Sequence, residues 1–166
     1  MNIKRILVAT DFGPDSEAAL NYALDFTKAL KASVDVLHIV ETPLAAGMWA
    51  SEIYTAEIAG LQINLERDAA EHLRRTIAAL SEPDVVVTGE VRMGPVATTI
   101  HEYAIERQSD LIVMGTHGRT GVARMMMGSV AERVTRTAPC PVLVVRPRRL
   151  STFTAPADTR TQSVGA

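Results

Sequence analysis

The chain has 166 residues, of which 47% are hydrophobic and 22% charged, and this balance predicts a single globular domain. It excludes a disordered polyelectrolyte, a collagen-like repeat and, because Cys140 is the only cysteine, a disulfide scaffold. The net charge of −2 is the sum of two unlike parts, since residues 1–90 carry 14 acids and 7 bases (−7) and residues 91–166 carry 5 acids and 10 arginines (+5). The basic second part indicates that an anion is handled there.

The sequence carries no signal for a membrane, for secretion or for nucleic acid. No apolar run approaches the roughly 20 residues that a membrane span needs, and the N-terminus runs directly into a strand-like segment. No block of basic residues interleaved with aromatics is present. We therefore expect a cytoplasmic protein that binds neither nucleic acid nor membrane.

Strand-like and helix-like patterns alternate in the first half. Residues 3–10 form an apolar run typical of a strand covered on both faces, and Gly13 and Pro14 are expected to cap and begin the helix that follows. The predicted apolar stripe of this helix consists of Ala19, Leu20, Ala23, Leu24, Phe26, Thr27 and Leu30. After a strand over 34–40 and a connection over 41–56 comes a long helix. Its predicted stripe consists of Ile58, Leu61, Leu65, Ala69, Leu73, Ile77 and Leu80.

The second half repeats the alternation. A third strand is predicted over 85–91, after which Gly94 and Pro95 are expected to cap and begin a shorter helix that runs through Ile105. The remaining predicted elements are a strand over 111–114, a glycine-bearing loop over 115–128, a helix over 129–137 and a strand over 142–145. Because strands that alternate with helices need crossover connections, the pattern predicts a five-stranded parallel α/β sandwich.

The domain is expected to cover residues 1–147. Residues 148–166 have little apolar content and are expected to form a disordered tail.

Candidate binding chemistry follows two of the strands. The first strand ends in Thr10 and Asp11, and the fourth leads into the glycine loop that ends at Ser129. Ligands of open parallel sheets lie at the carboxyl ends of strands, glycines let main-chain N–H groups approach a phosphate, and a helix N-terminus adds its dipole. Arg119 and Arg124 could add charge-assisted bonds to the same anion.

Each of these features also has a purely structural interpretation. The glycines of the loop are equally compatible with a tight turn, and Ser129 with a helix N-cap. Two familiar nucleotide signatures, G-x-x-x-x-G-K-[ST] and a G-x-G-x-x-G after the first strand, are absent from the sequence.

The spacing Gly115-x2-Gly118-x9-Gly128-Ser129 resembles the ATP-binding branch of the universal stress protein (UspA) family, whose signature is G-x2-G-x9-G-[ST]. The likeness covers residues 1–146. It implies a three-layer α/β sandwich with a five-stranded parallel sheet of order 3-2-1-4-5, a Rossmann-like fold of the adenine nucleotide α-hydrolase-like type. ATP is then expected between the ends of strands 1 and 4.

The resemblance also implies a set of binding residues. By match to family positions, the nucleotide is bordered by Ala9, Thr10, Asp11, Ile39, Met114, Gly115, Gly118, Gly128, Ser129 and Val130, with His117 and Arg119 in the matching loop. Asp11 would lie near the ribose or a divalent ion, Mg²⁺ or Mn²⁺, and Ile39 would meet adenine through its backbone. Gly13 departs from the family pattern, in which many relatives have serine. No residue is assigned a catalytic role.

The function implied by the resemblance is that of an ATP-binding stress or signalling protein, whose nucleotide occupancy changes what it presents to an unidentified protein partner. A homodimer through Val142–Val145 is expected, because this apolar strand would otherwise be an open sheet edge. The alternatives are a slow ATPase or autophosphorylating enzyme and a nucleotide-free interaction module. Sequence spacing alone places no acid or histidine to activate a water, so at most weak ATP hydrolysis is expected.

Overall fold

The structure, a computed structural model, describes residues 2–41, 56–80, 85–118 and 127–147. In chain order its elements are β1 (Arg5–Thr10), α1 (Pro14–Leu30), β2 (Ser33–Val40), α2 (Ala56–Ala79), β3 (Val87–Met93), α3 (Val96–Glu106), β4 (Leu111–Gly115), α4 (Ser129–Thr137) and β5 (Val142–Val145). The strands form one five-stranded sheet of order β3-β2-β1-β4-β5, and all of its pairings are parallel. The predicted α/β sandwich with strand order 3-2-1-4-5 is therefore confirmed.

Helices cover both faces of the sheet. On one face Ile6 and Val8 of β1 pack in a cluster with Ala19 and Ala23 of α1 and Leu73 of α2. On the other face the alternate β1 residues Leu7 and Ala9 pack in a cluster with residues of α3 and α4, among them Ile100, Tyr103 and Val134. A strand whose two faces are both buried has to be apolar throughout, which explains the continuous apolar run in β1.

The element bounds agree with the sequence most closely where local signals are strong. Gly13 is the N-cap of α1 with Pro14 at its first position, and α4 and β5 have the predicted bounds. The start of α3 was predicted wrongly. Pro95, with an extended ψ of 120°, is its N-cap, whereas Gly94 has a φ of +143° and belongs to the preceding turn.

The two predicted apolar stripes are only partly buried. In α1, Phe26 and Leu30 are 37% and 38% exposed, because the buried face is centred on smaller residues and includes two polar ones, Ser16 and Thr27. In α2, Leu61 and Leu65 are exposed. This helix contacts the sheet through its second half, where Gly89 of β3 leaves room for Leu73 and Ile77.

A cluster of charged residues and one tyrosine, which we call the arginine–tyrosine cluster, lies between edge strand β3 and α3. It comprises Glu90, Arg92, Tyr103, Glu106 and Arg107. The Arg92 Nη2 atom donates to both carboxylate oxygens of Glu106 at 3.0 and 3.1 Å, and Arg107 Nη2 donates to Glu90 Oε2 at 2.9 Å. The two guanidinium carbons lie 5.3 and 5.2 Å from the centre of the Tyr103 ring. Burial raises the pKa of Tyr103 to about 12, so the ring stays neutral between the two cations. This edge of the sheet is thus charged.

Across the described ranges no helix is both long enough and apolar enough to cross a membrane.

Candidate functional site

A cavity of about 410 Å³ lies at the carboxyl ends of β1 and β4. Of the residues proposed from sequence, those that line it are Ala9, Thr10, Asp11, Ile39, Met114, Gly115, His117, Gly118, Gly128, Ser129 and Val130. Arg119, like Arg124, lies outside the described residues. Sequence reasoning missed five further lining residues, Ser16, Val96, Ile100, Thr116 and Ala131. The elements around the cavity thus place both described ends of the glycine loop, residues 115–118 and residue 128, near the end of β1.

The turn after β1 fixes the carboxylate of Asp11. Its Oδ1 atom accepts a hydrogen bond from the Gly13 N–H at 3.0 Å and lies 2.7 Å from Ser16 Oγ, in the first turn of α1. Thr10 Oγ1 accepts from the Phe12 N–H at 3.0 Å. Because these partners belong to the start of a long helix, the carboxylate is held in one orientation at the cavity wall.

Phe12 anchors the same turn from the opposite side. Its φ of +62° lies in the left-handed region, which non-glycine residues rarely adopt. Its ring is stacked between the imidazoles of His38 in β2 and His72 in α2, with ring centres 4.3 and 4.1 Å away. The His38 Nδ1 atom lies 2.8 Å from the Thr10 carbonyl oxygen and donates to it, because a carbonyl can only accept. We call this arrangement the Phe12 ring stack.

The end of β4 is joined to α1 by a polar cluster that the sequence did not indicate. Thr116 Oγ1 donates to Asp15 Oδ2 at 2.8 Å, and the backbone N–H of His117 donates to the same oxygen at 3.2 Å. His117 Nδ1 lies 3.1 Å from Thr116 Oγ1 and 3.5 Å from Asp15 Oδ2. We call these three residues the Asp15–Thr116–His117 cluster. The close approach needs a glycine at 115, where a Cβ would lie 2.7 Å from the Asp15 Cβ.

The glycine loop returns to the same place at the start of α4. Gly128 is the N-cap of this helix, so the alternative that Ser129 is the cap is wrong, and the Gly128 N–H donates to the Thr116 carbonyl oxygen at 2.8 Å. A Cβ at Gly128 would lie 2.9 Å from that oxygen, and a Cβ at Gly118 would lie 3.4 Å from Asp11 Oδ2. The backbone of the glycine loop therefore passes close to the Thr116 carbonyl oxygen and to the Asp11 carboxylate, and the N-terminus of α4 lines the cavity.

The lining combines an apolar part with a part suited to an anion. Ile39, Val96, Ile100 and Met114 supply apolar walls. The N-cap and first residues of α4, which include Ser129, also line the cavity, and the first N–H groups of a helix have no partner within the helix. This combination suits a small molecule with one apolar moiety and one anionic moiety. No group of three or more His, Cys, Asp or Glu residues that could hold a metal ion occurs in the described part of the chain.

These features define an α/β protein whose parallel sheet has helices on both faces, with a ligand cavity where a glycine loop meets the end of the first strand. The profile of the Universal stress protein family matches residues 2–146. The chain belongs to this family. The universal stress protein MJ0531 of Methanocaldococcus jannaschii is 36% identical over 143 residues, which cover 86% of this chain and 82% of that protein.

Solved structures show the same fold. The protein MJ0577 is 26% identical with a TM-score of 0.76, covering 91% of this chain and all of that one. A universal stress protein in complex with cAMP is 23% identical with a TM-score of 0.57, covering 88% of this chain and 98% of that one. One from Archaeoglobus fulgidus in complex with dAMP is 20% identical with a TM-score of 0.58, covering 87% and 99%. At 23% and 20% identity the likeness concerns the fold, and both ligands belong to those proteins.

Proposed function

We propose that this chain belongs to the ATP-binding branch of the family and acts in the cytoplasm as a nucleotide-dependent stress-response module. One observation carries the proposal. The glycine spacing of the signature folds so that Gly118 approaches Asp11 and Gly128 starts α4 at the wall of a 410 Å³ cavity. Backbone N–H groups at a helix N-terminus, approached through glycines, are a general solution for binding phosphate.

The lining residues fit the parts of ATP in turn. Ile39, Met114 and Ile100 offer apolar surface to adenine, and Thr10 and Asp11 supply polar groups for a ribose or for Mg²⁺ or Mn²⁺ bound together with phosphate oxygens. The ends of the glycine loop, with Ser129 and Val130 at the start of α4, are left for the phosphates. That two proteins of this fold are in complex with cAMP and dAMP supports an adenine nucleotide as the ligand class.

Isothermal titration calorimetry with ATP and Mg²⁺ tests the proposal. We expect a Kd in the micromolar range, and Gly118→Val should weaken it about tenfold or more, equivalent to about 1.4 kcal/mol, because the new side chain fills space between the loop and Asp11. Gly60→Ala is the matched control, since a Cβ at this helix position meets no atom of the described residues within 4 Å. Absence of ATP binding at millimolar concentration, or an unchanged Kd in Gly118→Val, would contradict the proposal.

We also propose that the module is a homodimer paired through β5. Carbonyl oxygens of Pro141 and Val145 accept from Ile112 and Thr116 at 2.9 and 3.1 Å, so alternation turns the N–H and C=O groups of Val142 and Val144 toward the open edge. Tyr22 and Phe26 of α1 are exposed. They follow Asp15 by seven and eleven positions, a spacing that places them on the same face of the helix as Asp15, and this face is directed toward β4. Apolar surface thus continues beside this edge.

Val144→Pro should convert the dimer to a monomer, because proline removes one outward N–H while leaving the bonds to β4 in place. Sedimentation equilibrium measures the mass, and circular dichroism verifies that the variant is folded. Pairing through β5 would be refuted if the wild-type protein were still a monomer at a protein concentration 50-fold or more above a micromolar dissociation constant of the dimer. A Val144→Pro variant that remains dimeric would refute it as well.

A further inference from the structure

We propose that the Phe12 ring stack couples the cavity to α2, so that His72 of this helix is a positioning residue for ligand binding and acts on Asp11 through Phe12. The inference rests on the proposed ATP binding and adds a regulatory link to it. The described lining of the cavity includes Asp11 but neither Phe12 nor His72. An effect of His72 on ligand affinity therefore has to pass through Phe12.

The backbone of Phe12 determines one of the contacts that hold Asp11. The Gly13 N–H donates to Asp11 Oδ1 at 3.0 Å, and Phe12 lies between these two residues in the chain. The φ and ψ torsions of Phe12 therefore set whether that N–H points at the carboxylate. The observed φ of +62° lies in the left-handed region. A rotation to the negative φ that non-glycine residues prefer would turn the Gly13 N–H away and release this contact of the carboxylate.

The ring of Phe12 holds this unfavourable backbone in place. It stacks on the imidazoles of His38 and His72 with interplanar angles of 28° and 6°. Aromatic pairs of this kind contribute free energy beyond the burial of their surface. One partner belongs to the sheet and the other to α2, so the full stack requires the helix to be docked. Backbone held in a sparsely populated conformation by its surroundings is typical of binding and switch segments.

The docking of α2 on the sheet decides where His72 lies. Its neighbour Leu73 is 3% exposed and packs over Gly89 of β3, where a Cβ would lie 3.1 Å from the Leu73 Cδ2 atom. Two arrangements follow: a docked helix with a stacked Phe12 and a fixed Asp11 carboxylate, and a detached helix with both released. A ligand that contacts Asp11 binds the first arrangement more tightly, so occupancy of the cavity stabilises the docked helix.

Calorimetry of the full chain with ATP and Mg²⁺ tests the coupling from the side of α2. His72→Ala should raise the Kd about fivefold, the equivalent of one lost aromatic pair, whereas His72→Phe retains a flat ring and should stay within about twofold of the wild type. The matched control is Arg75→Ala in the same helix, whose side chain is 71% exposed and pairs with Glu71, and its Kd should equal that of the wild type. Circular dichroism verifies that each variant is folded. An unchanged Kd in His72→Ala, or a fivefold loss in His72→Phe or in the control, would contradict the proposal.

Amide hydrogen exchange followed by mass spectrometry tests the coupling from the side of the cavity. Because linkage is reciprocal, saturating ATP should slow exchange over residues 69–77 about fivefold in the wild type and leave it unchanged in His72→Ala. A wild-type protein that binds ATP without any change of exchange in α2 would overturn the coupling while leaving the proposed function intact. A wild-type protein that binds no ATP would overturn the proposed function, and the coupling with it.

Discussion

Gly115→Ala is expected to destabilise the protein by about 3 kcal/mol. It is also expected to weaken ATP binding more than the addition of one methyl group at any other position of this site. A Cβ at position 115 would lie 2.7 Å from the Cβ of Asp15 and 2.8 Å from its backbone carbonyl carbon. Backbone atoms of a helix cannot rotate away as a side-chain end can, so α1 has to move off β4. Urea denaturation followed by circular dichroism gives the free energy of unfolding, and calorimetry gives the Kd.

Gly60→Ala is the control for this experiment. It adds the same methyl group in α2, where no atom in the described part of the chain lies within 4 Å, and removing a glycine from a helix interior should stabilise the protein by about 0.5–1 kcal/mol. The changes in the free energy of unfolding caused by Gly115→Ala and Gly60→Ala should therefore have opposite signs. A Gly115→Ala protein as stable as the wild type would show that the contact between α1 and β4 is looser than the geometry indicates.

Phe12→Ala is expected to cost about 2 kcal/mol, because it removes a ring that contacts imidazoles on both of its faces. The more informative comparison is with Phe12→Gly. Both variants lose the ring, but only alanine retains the cost of a φ of +62°, about 1 kcal/mol. Phe12→Gly should thus be more stable than Phe12→Ala, the reverse of the usual order of these two residues.

The same denaturation experiment distinguishes the two effects, and calorimetry with ATP shows whether the stack also positions Asp11. Unchanged ATP binding in both variants would show that the Phe12 ring stack acts on folding alone. A Phe12→Gly protein less stable than Phe12→Ala would contradict the argument from backbone strain.

Elements with strong local signals were predictable from the sequence. The Gly13–Pro14 start of α1, all of α4 and all of β5 agree with the structure because caps, prolines and apolar runs act over a few residues. The strand order 3-2-1-4-5 came from the family resemblance, since periodicity alone does not order strands, and the structure confirms it.

What the sequence missed depends on contacts between distant segments. Val96 and Ile100 line the cavity because the start of α3 packs beside β1 and β4, which no local pattern records. The carboxylate of Asp15 accepts hydrogen bonds from Thr116 and His117, which lie 101 and 102 positions further along the chain. Phe26 matched helical periodicity and is nevertheless 37% exposed, because an apolar stripe wider than its contact surface leaves its flank uncovered.

The two outer strands of the sheet have opposite characters, and this sets a limit on assembly. At β3, Glu90 and Arg92 are held by ion pairs to Arg107 and Glu106 at the C-terminal end of α3, so an incoming strand would have to lie beside fixed charges. At β5 the strand is Val142–Val145, with no charge in it. A sheet in which only one edge strand is available for pairing with another copy can be extended only once. If two copies join there, both remaining borders are charged, and growth terminates at a closed pair instead of continuing into a fibre.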